Sequence, residues 1–202
     1  MNYHTLAFTD DVKSKQTVNG SRTIYQGAEK RMYKEGLGQM EKMHIDDSDS
    51  FYMATKGDNG YPYIQHRGGP KGFLKVLDDR TLGFIDFSGN RQYISLGNLS
   101  HSKKTALILM DYAKRRRLKI YATTEVFELN QRPDLIQKLT LKNYDYQSER
   151  VLLFHIDAFD WNCPQHITPR FTEKQVAEQL ALKDSYIKTL EGQLEALRGK
   201  KQ

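Results

Sequence analysis

Apolar and polar positions fall into three regimes along the 202 residues. The first 26 or so show no period and read as an arm. Gly27–Lys42 has helical composition, with Met32, Leu37 and Met40 as weak apolar marks and Gly36 and Gly38 against it. From Ser50 the period changes to two. Ser50–Thr55, Tyr61–Arg67, Phe73–Leu77 and Thr81–Phe87 read as short strands, with turn signals KGDNG, GGPKG and DDR between them. Thr105–Tyr112, Leu118–Leu129 and Val151–Trp161 read as three stronger strands. Gly89–Ser100 and Arg132–Leu141 are inserted helices, the second with Pro133 in its first turn. Strands that cluster rather than alternate with helices predict a mainly β (α+β) chain, an antiparallel barrel with peripheral helices, not a doubly wound parallel sheet.

The third regime is the tail. Thr172-x-x-Gln175 is a capping-box start and Gly199 a stop signal. Between them Val176, Leu180, Lys183, Ile187, Leu190, Leu194 and Leu197 are spaced 4, 3, 4, 3, 4, 3, a heptad seam with one polar member. Such a seam packs on the barrel, pairs with a second chain or stands as a short zipper. The expected organisation is an N-terminal arm and helix over residues 1–44, a barrel over 45–170 and an amphipathic helix over 171–202.

Composition narrows the class. Apolar residues are 38% and charged residues 28%, so the chain is globular rather than disordered. One cysteine, Cys163, excludes an intramolecular disulfide and any Cys-x-x-Cys site. The absence of a signal-like or membrane-length apolar run gives the expectation of a soluble, cytoplasmic protein with no membrane partner. The formal charge of +6 is concentrated in residues 101–150, around Lys103, Lys104 and the run Lys114–Arg117. That surplus suits an anion or a solvated hairpin tip. Without aromatic interleaving it does not favour nucleic acid.

Three segments carry candidate chemistry. Gln65-His66-Arg67 ends a strand and enters a turn with three glycines, which could expose N–H donors to a ligand. Ser88-Gly89-Asn90-Arg91-Gln92 joins a strand to a helix start, a setting suited to a phosphate, with Arg91 as a bidentate clamp. Trp161 to His166 follows the last strand; nothing in it orients Cys163 and His166 as a nucleophile pair. His66, His155 and His166 are scattered, and no metal site is expected.

The order of motifs, P-x-I-Q-H-R-G-G-P-K-G-F-L-K-V-L-D from Pro62, T-L-G-F-I-D-F-S-G-N-R-Q from Thr81, L-x-N-L from Leu96 and R-L-K-I-Y-A from Arg117, resembles the pyridoxamine 5′-phosphate oxidase-like FMN-binding split-barrel family over residues 45–170. The resemblance implies a six-stranded antiparallel split β-barrel, a homodimer, and FMN held at the subunit interface by groups of both chains. By position it implies that Gln65, His66 and Arg67 line the flavin and its ribityl chain, and that Lys75 lies near the place where such proteins use a lysine. Phe87, Ser88, Asn90, Arg91 and Gln92 would form the phosphate turn. Trp161, Gln165 and His166 would lie on the segment that reaches the partner's flavin. The oxidase itself closes its pocket with an Arg-x-His-type motif near the C-terminus, where this chain reads CPQHITPRF. Pyridoxamine phosphate oxidation is therefore not implied.

The leading functional expectation is an FMN-dependent oxidoreductase acting on a small molecule, with NAD(P)H as a candidate electron donor and the catalytic residues unassigned. The alternatives are a non-catalytic flavin- or haem-binding barrel and a nucleic-acid binder using Lys114–Arg117.

Overall fold

The computed structural model describes residues 2–31, 33–161 and 163–199. Met32, one mark of the expected first helix, and Asn162, within the Trp161–His166 segment, lie outside the described residues. The chain forms two units: Met1–Asp111 with Arg116–Gln165, and Tyr112–Arg115 with His166–Gln202.

The first unit contains helices α1 (Tyr3–Ala7), α2 (Asp10–Val18), α3 (Arg22–Arg31) and α4 (Gln39–Asp47), followed by strands β1 (Ser50–Lys56), β2 (Pro62–Gly68), β3 (Lys75–Asp78) and β4 (Thr81–Phe87). Then come α5 (Ile94–His101), β5 (Lys104–Asp111), β6 (Arg116–Glu128), α6 (Pro133–Leu139) and β7 (Ser148–Trp161). The strands form one antiparallel sheet in the order β2-β1-β5-β6-β7-β4-β3. It has seven strands where the resemblance implied six; the four-residue β3 pairs only with β4.

Alternation decides which face is inside. Phe51 and Met53 of β1, Leu107 and Leu109 of β5, and Leu118 and Ile120 of β6 enter one core. Phe51 of β1 meets Phe84 of β4 at 5.5 Å and Phe154 of β7 at 6.1 Å, although those strands are far apart in the sheet order. The sheet therefore curls on itself, and the barrel is split between its end strands β2 and β3. Burying each of these phenylalanines contributes about 1.5–3 kcal/mol. β4 and β7 depart from alternation because both faces are covered. Ile85, Val151 and Leu153 face away from the main core and pack with Leu135 and Leu139 of α6.

The N-terminal residues are helical, not an extended arm. Their apolar period is weak, but Asn2 and Thr9 accept hydrogen bonds from the first backbone N–H groups of α1 and α2. Tyr3 stacks on Tyr121 of β6 at 5.0 Å. The single helix expected over Gly27–Lys42 is two, α3 and α4. Gly38 is the N-cap of α4, and its N–H donates to Glu41 at 3.0 Å. The basic run Lys114–Arg117 straddles the β5–β6 hairpin turn.

The second unit consists mainly of α7 (Glu173–Gly199). The expected capping box is present: the Thr172 N–H donates to Gln175 Oε1 at 2.9 Å, and the Gln175 N–H donates to Thr172 Oγ1 at 3.2 Å. No described helix is long and apolar enough to cross a membrane.

Candidate anion site at the barrel split

The split in the barrel brings β2, the end of β4, the start of β7 and the loop into α5 together around a cavity of about 160 Å³. β2 alternates, so Gln65 and Arg67 line the cavity while His66, between them, is exposed on the other face against Tyr52 at 5.4 Å. Asp86 is the one charged residue of β4 and is 2% exposed. A buried carboxylate needs a cation. It has two: Arg67, which donates to Oδ1, and Arg150, which donates to Oδ2 at 3.1 Å. The β4–β7 register places Arg150 directly opposite Asp86. Arg150 also pairs with Glu149 at 2.9 Å and lies over the Tyr93 ring at 5.2 Å.

Burial pushes the Asp86 carboxyl above its ordinary value, against the pull of the two guanidiniums. Burial likewise lowers Arg67, with Asp86 opposing it; an arginine stays charged at neutral pH all the same. The buried Nε of Arg67 has no hydrogen-bond partner. With exposed Arg91 at the rim, three arginines face two carboxylates. One cation is left over, together with one unsatisfied donor.

The rim loop departs from the expected helix start. The helix begins at Ile94, not near Gly89. Asn90 Oδ1 accepts from the Gln92 N–H at 3.1 Å, and Arg91 and Tyr93 are left-handed, with φ of 59° and 55°. Left-handed backbone costs a non-glycine residue about 1–3 kcal/mol and is found where the surroundings enforce it, often at ligand sites. Phe87, Asn90, Arg91 and Gln92 all line the cavity. Ser88 sits beside them, its N–H donating to the Gln147 carbonyl at 2.9 Å. Ser95, in the first turn of α5, donates to Gln65 Oε1 at 2.6 Å and fixes that amide.

The remaining expected residues lie elsewhere. Lys75 Nζ donates to the carbonyls of Lys138 and Thr140 at 3.1 and 3.3 Å, closing the C-terminal end of α6. The glycines after Arg67 serve the turn rather than a ligand. A Cβ on Gly69 would fall 2.7 Å from Phe73 Cγ, and Gly72 has φ 75°. Trp161 is at the opposite end of β7 from Arg150, about 35 Å along the strand at the usual rise per residue. Its Nε1 donates to Glu41 Oε1 at 2.7 Å. Gln165 and His166 are exposed, and His166 belongs to the second unit. Asp86, Arg150 and Ser95 were not among the expected site residues. A carboxylate inside the apolar stretch Thr81–Phe87 was the one signal in the sequence that a buried cation had to exist.

A split antiparallel barrel with a cationic cavity at its opening defines the class of protein. The chain belongs to the pyridoxamine 5′-phosphate oxidase family, whose family model matches residues 39–155, more than half of the chain. Solved structures with a similar fold include a Clostridium acetobutylicum protein related to general stress protein 26 of the pyridoxinephosphate oxidase family. It is 18% identical with a TM-score of 0.48, and the match covers 68% of this chain and 94% of that one. An FMN-binding protein from Syntrophomonas wolfei is 16% identical with a TM-score of 0.44, covering 73% and 97%. Group A Streptococcus HupZ is 14% identical with a TM-score of 0.48, covering 67% and 99%. No curated protein matches the chain.

Proposed function

We propose that the chain is a cytoplasmic flavoprotein that binds FMN as a homodimer and serves as an oxidoreductase for a small molecule, with NAD(P)H as the candidate reductant. The observation that carries the reading is the surplus cation of the cavity: Arg67, Arg91 and Arg150 against Asp86 and Glu149, with the Arg67 Nε unsatisfied. Such a donor set suits a phosphate monoester, and guanidinium–phosphate pairs give both strength and orientation. Arg91, Asn90 and Gln92 would hold the phosphate at the rim. Gln65, fixed by Ser95, would offer its amide N–H to the ribityl chain, since its Oε1 accepts from Ser95. Small-molecule sites usually span roughly 300–1,000 Å³. A cavity of about 160 Å³ takes the phosphate and part of the sugar chain. The isoalloxazine ring then needs a second wall, which a partner subunit would supply. FMN when bound would supply the electron transfer; the protein would bind, orient and shield it.

The test is a titration of the purified full chain with FMN, followed by absorbance near 450 nm (about the usual flavin maximum) and by elution volume. Yellow protein eluting as a dimer is expected. Failure to take up FMN overturns the reading.

A second reading is a flavin-binding protein without turnover. One observation favours it: among the described cavity residues the only carboxylates are Asp86 and Glu149, both paired with arginine, and no histidine or cysteine lines the cavity. Oxidation of NADH or NADPH under air by the FMN-loaded protein separates the two. Absence of turnover, with FMN bound, selects the binder.

A further inference from the structure

The heptad seam of α7 has no cover: every residue from Glu173 to Arg198 is exposed, and the seam leucines range from 39% exposed at Leu190 to 62% at Leu197. A solitary helix draws little stability from propensity alone. This one also carries Gly192 in its interior, at a cost of about 1 kcal/mol relative to alanine. Its apolar stripe has to be buried for the helix to persist.

We propose that α7 pairs in parallel with α7 of a second copy of this chain, as a two-stranded coiled coil. The seam positions settle both the partner and the direction. With Leu180, Ile187 and Leu194 at a, the d positions are Val176, Lys183, Leu190 and Leu197. Of the three a positions, Leu180, Ile187 and Leu194, the central one is β-branched and is followed by Leu190 at d, the combination that favours two strands. From Val176 to Leu197 the seam spans just over three heptads, roughly 33 Å of helix, the length at which such a pattern becomes a coil. Lys183 is the polar seam member. In a parallel pair its d position lies beside the e position of the other helix, where the partner's Asp184 stands, so each lysine gains a carboxylate while its stem covers the seam. The flanking g-to-e′ pairs are Gln179 with the partner's Asp184, Tyr186 with the partner's Glu191 and Gln193 with the partner's Arg198. None joins like charges. An antiparallel pair would instead turn the e positions toward each other, bringing Asp184 against the partner's Glu191.

The inference stands apart from the flavin reading, because its test reads no colour. Cys163, the only native thiol, is first replaced by serine in the full chain. Leu190→Cys (position d) and Ser185→Cys (position f, on the outer face) are then added separately, and each protein is mildly oxidised. Of these two positions only d brings its thiol within disulfide reach of its counterpart in a parallel pair, so Leu190→Cys is expected to form covalent dimer about tenfold more than Ser185→Cys. Adding Asp184→Lys sets a like charge beside Lys183 and is expected to cut that linking severalfold. Equal linking at the two positions, linking at neither, or indifference to Asp184→Lys overturns the proposal. Cross-linking in a preparation that takes up no FMN would remove the proposed function and leave this inference standing.

Discussion

Two buried carboxylates in the barrel unit behave in opposite ways. Glu41, in α4, is closed: Lys34 donates to it at 2.9 Å, Trp161 Nε1 at 2.7 Å and the Gly38 N–H at 3.0 Å. One carboxylate meets one cation and neutral donors, and no cation is in surplus. Asp86, in β4, is open: two guanidiniums share it, Arg67 keeps a spare Nε, and Arg91 stands at the rim of the same cavity. A satisfied network fixes structure, whereas one with spare cations and donors at a cavity has capacity for an anion. Trp161 illustrates the contrast. By resemblance its role is toward a partner's flavin; within its own chain it is the indole that completes the closed network around Glu41.

The contrast breaks most sharply at Asp86. Asp86→Ala strands two largely buried guanidiniums, and urea denaturation is expected to show a loss of about 3–5 kcal/mol. Glu41→Ala strands an indole N–H and releases Lys34. The expected cost is about 2–3 kcal/mol, with FMN affinity per folded molecule unchanged. Arg91→Ala should do the reverse, because the side chain is exposed and makes no hydrogen bond or ion pair with the described residues. Stability should stay within about 0.5 kcal/mol of wild type. FMN affinity should fall by about ten- to a hundredfold, the worth of a hydrogen bond to a charged group.

The smallest effect expected is in pH dependence. Burial pushes the Glu41 carboxyl up, but hydrogen bonds from Lys34 and Trp161 outweigh it and leave its pKa below the ordinary value. A carboxylate depressed by folding contributes stability that is fully present above its unfolded pKa of about 4.3 and is lost as pH falls through the folded value. Thermal melts from pH 6 down should therefore show a loss below that point, and Trp161→Phe, which removes one of the depressing bonds, should make it shallower.

Most strands were readable from period-two alternation, and α7 from its capping box and heptads, because those signals are local. The site was readable only in part. Of the residues the motifs singled out, Gln65, Arg67, Phe87 and Asn90–Gln92 come together around one cavity. His66 does not join them because successive strand residues face opposite ways. Arg150 was missed because its place depends on the β4–β7 register, a pairing across more than sixty residues of chain. The delayed start of α5 follows from left-handed Arg91 and Tyr93, a conformation neither residue type advertises. The N-terminal helices were missed because caps and docking, not an apolar period, hold them.

The most direct test sets FMN against riboflavin, which lacks the phosphate, in parallel titrations of the wild-type chain. If the arginines around Asp86 hold a phosphate, FMN binds at least about a hundredfold more tightly, as several charge-assisted hydrogen bonds require. Equal affinity for the two would contradict the assignment of this cavity to the phosphate.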